Sequence, residues 1–302
     1  MKNRRFVPGA LYHIYTISRD GGVLFYRITD RLCLFTILSV YARRYRVAVL
    51  GLSIMFTHIH AMVRVVDLTH LRSFIGQSLA TFTRIINADR RQRGELFRRP
   101  FGSAPRVNPK EKRSSLIYLF NNPVEKRLCT KAIDDRWTFL AYCKSFFPFS
   151  KPLIKREVSF RLRKAADYVD AECAAGRYLR PAALRRILGG LIKEEQEKLT
   201  DYIICKYQFI CFEEAIELFG DVDKMILATE ASAGKEFDVG EQFDPFSDVA
   251  YREMAAHASR NHLFEDWKLL HLSDEERGRW FRNFRANTTA NDKQIMKFLH
   301  LK

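Results

Sequence analysis

The sequence predicts an α+β protein. Residues 1–148 should form a ferredoxin-like antiparallel sheet with helices on one face, and residues 149–302 an all-helical C-terminal domain. Three observations predict this. In the first half, β-branched apolar runs alternate with segments of helical period, in the order strand, helix, strand, strand, helix, strand, helix. The second half is rich in helix formers with helical spacing. Between the halves, "CKSFFPFSKPLI" (143–154) places two prolines and two serines between patterned segments, which marks a junction.

Each element has its own justification. "LYHIYTIS" (11–18) is apolar and β-branched, a strand, and "GGVLFY" is a turn with a short extended piece. "TDRLCLFTILSVYARR" (29–44) opens on Thr29 or Asp30 as N-cap and ends in basic residues, as a helix should. "RVAVLGLSIM" (46–55) and "HIHAMVRVV" (58–66) are strands paired through "FT". In residues 67–91, Leu68, Leu71, Ile75, Leu79, Phe82 and Ile86 recur at spacings of three and four, predicting a long amphipathic helix. "ELFRRPFGSAPRV" (95–107) is an irregular strand. The helix over 108–128 starts from an Asn cap with Pro109 at its first position. In the second half, helices are expected in "FRLRKAADYVDAECAAG", "ALRRILGGLIKEEQEKLTDYII", "FEEAIELFG" and "DVAYREMAAHASR". Two more are expected near the C-terminus, the second from about Asn291.

Charge separates the halves. The whole chain of 302 residues carries a net +16. Residues 1–150 hold 26 Lys and Arg against 9 Asp and Glu, a net of +17; the remainder holds 25 against 26, a net of −1. A positive excess confined to one domain points to a polyanionic partner, most simply nucleic acid. It leaves a hydrolase of small molecules without a use for that charge. No apolar run is long enough to span a membrane, and the N-terminal residues lack the apolar core of a secretory signal. Six cysteines without a C-x-x-C pair suit an intracellular protein with reduced thiols rather than a zinc ribbon.

Two constellations carry chemistry. In the strand "HIHAMVRVV", His58 and His60 are two apart and share a face, while Ile59 and Ala61 point the other way into packing. Two neutral imidazoles on one face are half of a metal site. In "SSLIYLFNNPVEKR", Tyr118 and Asn122 are four apart and stack on one helix face. Pro123 favours ending or kinking the helix near Asn122. A tyrosine hydroxyl beside an amide oxygen offers a nucleophile and a hard ligand for Mg²⁺ or Mn²⁺.

Together, "HIH", the "YLFNNP" helix, the intervening "GELFRRPFGSAPRV" and the opening "YHIYTISRDGGVLFYRITDRLCLFTIL" resemble the single-tyrosine HUH transposases of bacterial insertion sequences, and most closely the REP-associated tyrosine transposases. The resemblance covers about residues 8–140. It implies an HUH endonuclease domain around an antiparallel sheet. It further implies a metal held by His58, His60 and Asn122, and Tyr118 as the nucleophile that cleaves and rejoins single-stranded DNA through a 5′-phosphotyrosine. The family typically reads a hairpin beside the cut, so structured single-stranded DNA is the implied partner. A single tyrosine matches, which argues against the two-tyrosine rolling-circle relatives. The alternative is a domesticated protein of the same fold that binds hairpin DNA without turnover.

DNA holding is expected from the basic residues around this site: Arg84, Arg90, Arg91, Arg93, Arg98, Arg99, Lys110, Lys112 and Arg113. Phe97, Phe101 and Tyr15 are the candidate stacking platforms for unpaired bases. The closing helix pair resembles part of a helix-turn-helix. A packing or homodimerisation role for the helical segment is the equal alternative. The expected location is cytoplasmic, with the nucleoid when bound to DNA, and no membrane partner is expected.

Overall fold

The computed structural model describes residues 6–98, 100–233 and 247–301. Four strands, β1 (Leu11–Ile17), β2 (Ala48–Ile54), β3 (His58–Arg64) and β4 (Gly102–Arg106), form one sheet in the order β2-β3-β1-β4 with every neighbouring pair antiparallel. β4 is short and lies at the edge, where Pro105 forfeits no central ladder bond. The expected piece at "GGVLFY" is not a strand. Its backbone is held instead by bonds to Phe56 and, from Val23, to Lys297 O.

The sheet is covered on both faces. α1 (Ile28–Arg44) and α2 (Leu68–Arg90) pack on the face bearing Tyr12, Ile14, Ile59, Ala61 and Val63. α2 buries Leu71, Phe74, Ile75, Phe82 and Ile86, the stripe its spacing predicts, and Tyr41 of α1 is bonded to Thr81 of α2 at 2.9 Å. α3 (Pro109–Glu125) lies on the opposite face, so the expectation of helices on one face is corrected. Its Leu116, Leu119 and Phe120 need their own apolar surface, which Leu11, Leu50 and Met62 supply. Each such side chain contributes roughly 1.5–3 kcal/mol on burial.

Gly51 sets how closely α3 approaches. A Cβ there would come within 2.9 Å of Leu116 Cδ2 and 3.5 Å of Leu119. β2 also shifts register between Val49 and Gly51, the irregularity a strand glycine commonly marks.

The remaining helices are α4 (Phe160–Ala174), α5 (Pro181–Leu188), α6 (Lys193–Lys206), α7 (Phe212–Glu217), α8 (Val222–Ala231), α9 (Val249–Arg260), α10 (Asp274–Asn287) and α11 (Asp292–Leu299). The single helix expected over 183–204 is two, broken where Gly190 takes a φ of +78°. The core under α1 continues into α4, α5 and α6 through Leu162, Leu184 and Ile203. α9, α10 and α11 form a second cluster around Tyr26 and Phe56. α11 is anchored there by Tyr26, whose hydroxyl donates to Phe298 O at 2.7 Å. All six cysteines are free thiols. Among the described residues no helix is long and apolar enough to cross a membrane.

Candidate active site

Strand register places the first half of the site. β3 turns Ile59, Ala61 and Val63 into the core beneath α1 and α2, so His58, His60 and Met62 face α3. β1 lies antiparallel beside it with Ile17 opposite His58, Tyr15 opposite His60 and His13 opposite Met62. His13 therefore joins the histidine face. Its Nε2 is 3.2 Å from His60 Nδ1, and the two rings are stacked 5.3 Å apart. The period of "LYHIYTI" already put His13 and Tyr15 on one face of β1; what the sequence did not disclose was which strand that face adjoins.

α3 supplies the second half. Its apolar contacts fix the rotation that turns Tyr118 and Asn122 toward β3. The Tyr118 ring meets His60 edge-on at 5.5 Å and His13 at 5.9 Å. Asn122 Nδ2 donates to Tyr118 O at 3.0 Å, which assigns the amide orientation and turns Oδ1 to His58 Nε2 at 3.4 Å. The other His58 nitrogen, Nδ1, is 3.0 Å from Thr57 Oγ1. Pro123 does not stop the helix at Asn122; it runs to Glu125, placing the proline in its last turn. Tyr118, Asn122, His58 and His60 thus meet in one place, from segments about sixty residues apart.

The electrostatics keep the central imidazoles neutral. Burial, then His58 and His13, hold His60 well below the ordinary histidine range. Burial and the Arg106 guanidinium push His13 down to about 4. A neutral imidazole keeps the lone pair that metal binding needs. Among the described residues, no group of three His, Cys, Asp or Glu side chains is arranged around a common metal position. The Asn122 amide oxygen is the oxygen donor that stands beside His58.

Two other tyrosines are turned away. Tyr12 lies in the core under α1, its hydroxyl accepting from Val7 N at 2.8 Å. Tyr142 donates to Asp201 Oδ1 at 2.7 Å, and its burial raises its pKa.

The basic residues divide. Arg84, Arg91, Arg93, Arg98 and Lys110 are exposed. The backbone of Arg98 lies beside the end of β1 that pairs with His58, its backbone N–H donating to Ile17 O at 2.9 Å. Lys112 and Arg113 are half-buried and donate to the carbonyls of Gly9 and Leu218. Arg99 lies outside the described residues. Arg90 is a correction. It is 1% exposed, paired with Asp30 at 2.9 Å and stacked over Trp267 and Tyr26, so it holds the fold together and cannot reach a phosphate. Phe97 is likewise corrected: it is buried against Phe82 and offers no face to a base. Phe101 and Tyr15 are half-buried. The Tyr15 ring crosses β4 at Gly102, where a Cβ would fall 2.0 Å from its Cζ.

No family model matches the sequence, and no curated protein matches it. A solved structure of a REP-associated tyrosine transposase bound to a REP hairpin is similar over part of the chain. It is 15% identical, with a TM-score of 0.38, and the match covers 45% of this chain and 80% of that one.

Proposed function

We propose that this protein is a metal-dependent transposase that binds hairpin-bearing single-stranded DNA, cleaves it and rejoins it through a 5′-phosphotyrosine. The catalytic unit is residues 1–148, a ferredoxin-like sheet with its helices, and residues 149–302 form its helical partner domain. The observation that carries the proposal is the convergence of Tyr118 and Asn122 of α3 on His58 and His60 of β3: 5.5 Å between the Tyr118 and His60 rings, and 3.4 Å from His58 Nε2 to Asn122 Oδ1.

The same pair supports a metal. Two donors about 2.1 Å from one ion lie roughly 3.0–3.4 Å apart at octahedral to tetrahedral angles. His58, His60 and Asn122 would hold it, and as Mg²⁺ or Mn²⁺ it would offset charge on the scissile phosphate and polarise the phosphorus. The protein does the rest. The exposed guanidiniums of Arg91, Arg93 and Arg98 draw the strand in and hold its phosphates. Tyr118 Oη loses its proton to solvent and bonds to phosphorus as the P–O3′ bond breaks, and the leaving O3′ takes a proton from solvent to become the 3′-hydroxyl of the upstream strand. Attack by a new 3′-hydroxyl reverses these steps and frees Tyr118, with no outside energy source.

The test is a labelled hairpin oligonucleotide, its label 3′ of the cut, incubated with protein and Mn²⁺. A denaturation-resistant protein–DNA adduct is expected, absent from Tyr118→Phe and from reactions with EDTA, with hairpin binding retained. Adduct formation by Tyr118→Phe would assign the nucleophile elsewhere. Tight hairpin binding with no cleavage across a hairpin library would favour a binding protein without turnover.

A further inference from the structure

On the face of the sheet away from His58 and His60, the C-terminal half of α1, the end of α4 and the start of α5 enclose an open cleft of about 720 Å³. That lies within the range of roughly 300–1,000 Å³ typical of ligand sites. Its lining is basic and aromatic. Arg44, Arg180 and Arg186 are exposed at its rim, and Tyr168 and Tyr178 are half-buried in its wall. The Arg186 guanidinium lies 5.0 Å over the Tyr168 ring. A fourth guanidinium, Arg177, is already neutralised by Glu172 at 2.7 Å. Among the described residues no carboxylate forms an ion pair with the other three. Two of these, Arg180 and Arg186, belong to the half of the chain with no net positive charge, so they form a local concentration rather than part of the general basic bias.

We propose that this cleft binds a segment of single-stranded DNA, with phosphates on Arg44, Arg180 and Arg186 and an unpaired base stacked on Tyr168 or Tyr178. Several guanidiniums at the rim of one cleft suit the phosphates of a strand, and a ring in its wall suits any base, since every base has a π-face. An acidic peptide would satisfy the guanidiniums and leave both rings unused. Duplex DNA keeps its bases stacked on each other and away from the rings. A free nucleotide has the same chemistry in one unit, and would leave part of the arginine rim idle. The cleft makes no demand on Tyr118, so it stands whether or not the chain cuts DNA.

The test uses full-length protein and an oligo-dT of fifteen nucleotides carrying one central 5-iododeoxyuridine. After irradiation, the cross-link is expected in peptides containing Tyr168 or Tyr178. The variant R44A/R180A/R186A, whose changed residues are all exposed, should melt as the parent does and bind oligo-dT at least tenfold more weakly. Its slope of log K against log salt should fall by about 2, from three lost contacts on a single strand. Cross-links only outside the cleft, or unchanged affinity of the variant, overturn the proposal. So does complete protection of the cross-link by dTMP at the concentration of strand needed to form it, which would make this a mononucleotide site.

Discussion

His13 Nε2 lies 3.2 Å from His60 Nδ1, a buried contact between side chains 47 residues apart. One ring nitrogen of His60 is thereby engaged, which holds the orientation of the ring; in the tautomer where Nδ1 donates to His13, Nε2 carries the lone pair that an ion would take. Contacts of this kind typically change metal affinity or activity by about 10–100-fold when lost. His13→Phe keeps a ring in the space and removes the nitrogen. It should raise the Mn²⁺ concentration for half-maximal hairpin cleavage by about 10–100-fold while leaving hairpin affinity in place. An unchanged Mn²⁺ dependence would reduce the contact to packing.

Arg90 and Arg91 are neighbours in sequence with opposite expected effects. Arg90 is enclosed with Asp30 at 2.9 Å, while Arg91 is exposed past the end of α2. Removing one partner of a buried pair strands the other charge, at a cost of about 3–5 kcal/mol. Arg90→Ala should therefore lower stability by that amount in guanidinium titration. Arg91→Ala should leave stability within about 0.5 kcal/mol and weaken DNA binding at low salt. A stable Arg90→Ala protein would remove the structural role assigned to the pair.

These two arginines also show what the sequence could and could not disclose. Periodicity exposes an element's faces, so the strands, α1, α2 and the pairing of His58 with His60 were legible, as was the sharing of a helix face by Tyr118 and Asn122. Burial of a charged residue depends on what arrives from elsewhere. Trp267, on a turn far along the chain, covers Arg90, and no local pattern announces it. His13 stayed hidden for the same reason, because its value comes from which strand pairs with β1. α8 was missed although six of its ten residues are apolar and Asp221 caps it at Lys224 N: Leu227 is exposed and only Met225 and Thr229 are buried, so its apolar residues do not mark one face.

Tyr15 and Gly102 form a matched pair across β1 and β4. The ring occupies the space a side chain at residue 102 would need, with 2.0 Å between a built Cβ and Tyr15 Cζ. Gly102→Ala must displace the ring, at roughly 1–3 kcal/mol as for other overpacked sites. Removing the ring as well should relieve the clash. The double variant Gly102→Ala/Tyr15→Ala should be less destabilised than the sum of the two single variants, by about 1–3 kcal/mol. Additive melting shifts would mean that the ring turns aside freely.

Glu125, at the last turn of α3 three residues beyond Asn122, ties the helix to pH. Burial raises its carboxyl from the ordinary range to about 7, against the opposing charge of Lys126. Between about pH 4.5 and 7 the folded chain keeps a proton that the unfolded chain has released. The stability this group contributes is therefore full below about 4.5 and is lost as pH rises through 7. Glu125→Gln keeps the shape and stays neutral throughout. Its melting temperature should match that of the parent near pH 4 and exceed it at pH 8, the gap opening across that window. Melting curves followed by circular dichroism at unit pH steps measure this directly. A gap of the same size at pH 4 and pH 8 would mean that the carboxyl ionises in the fold as it does in water, and that the end of α3 is insensitive to its charge.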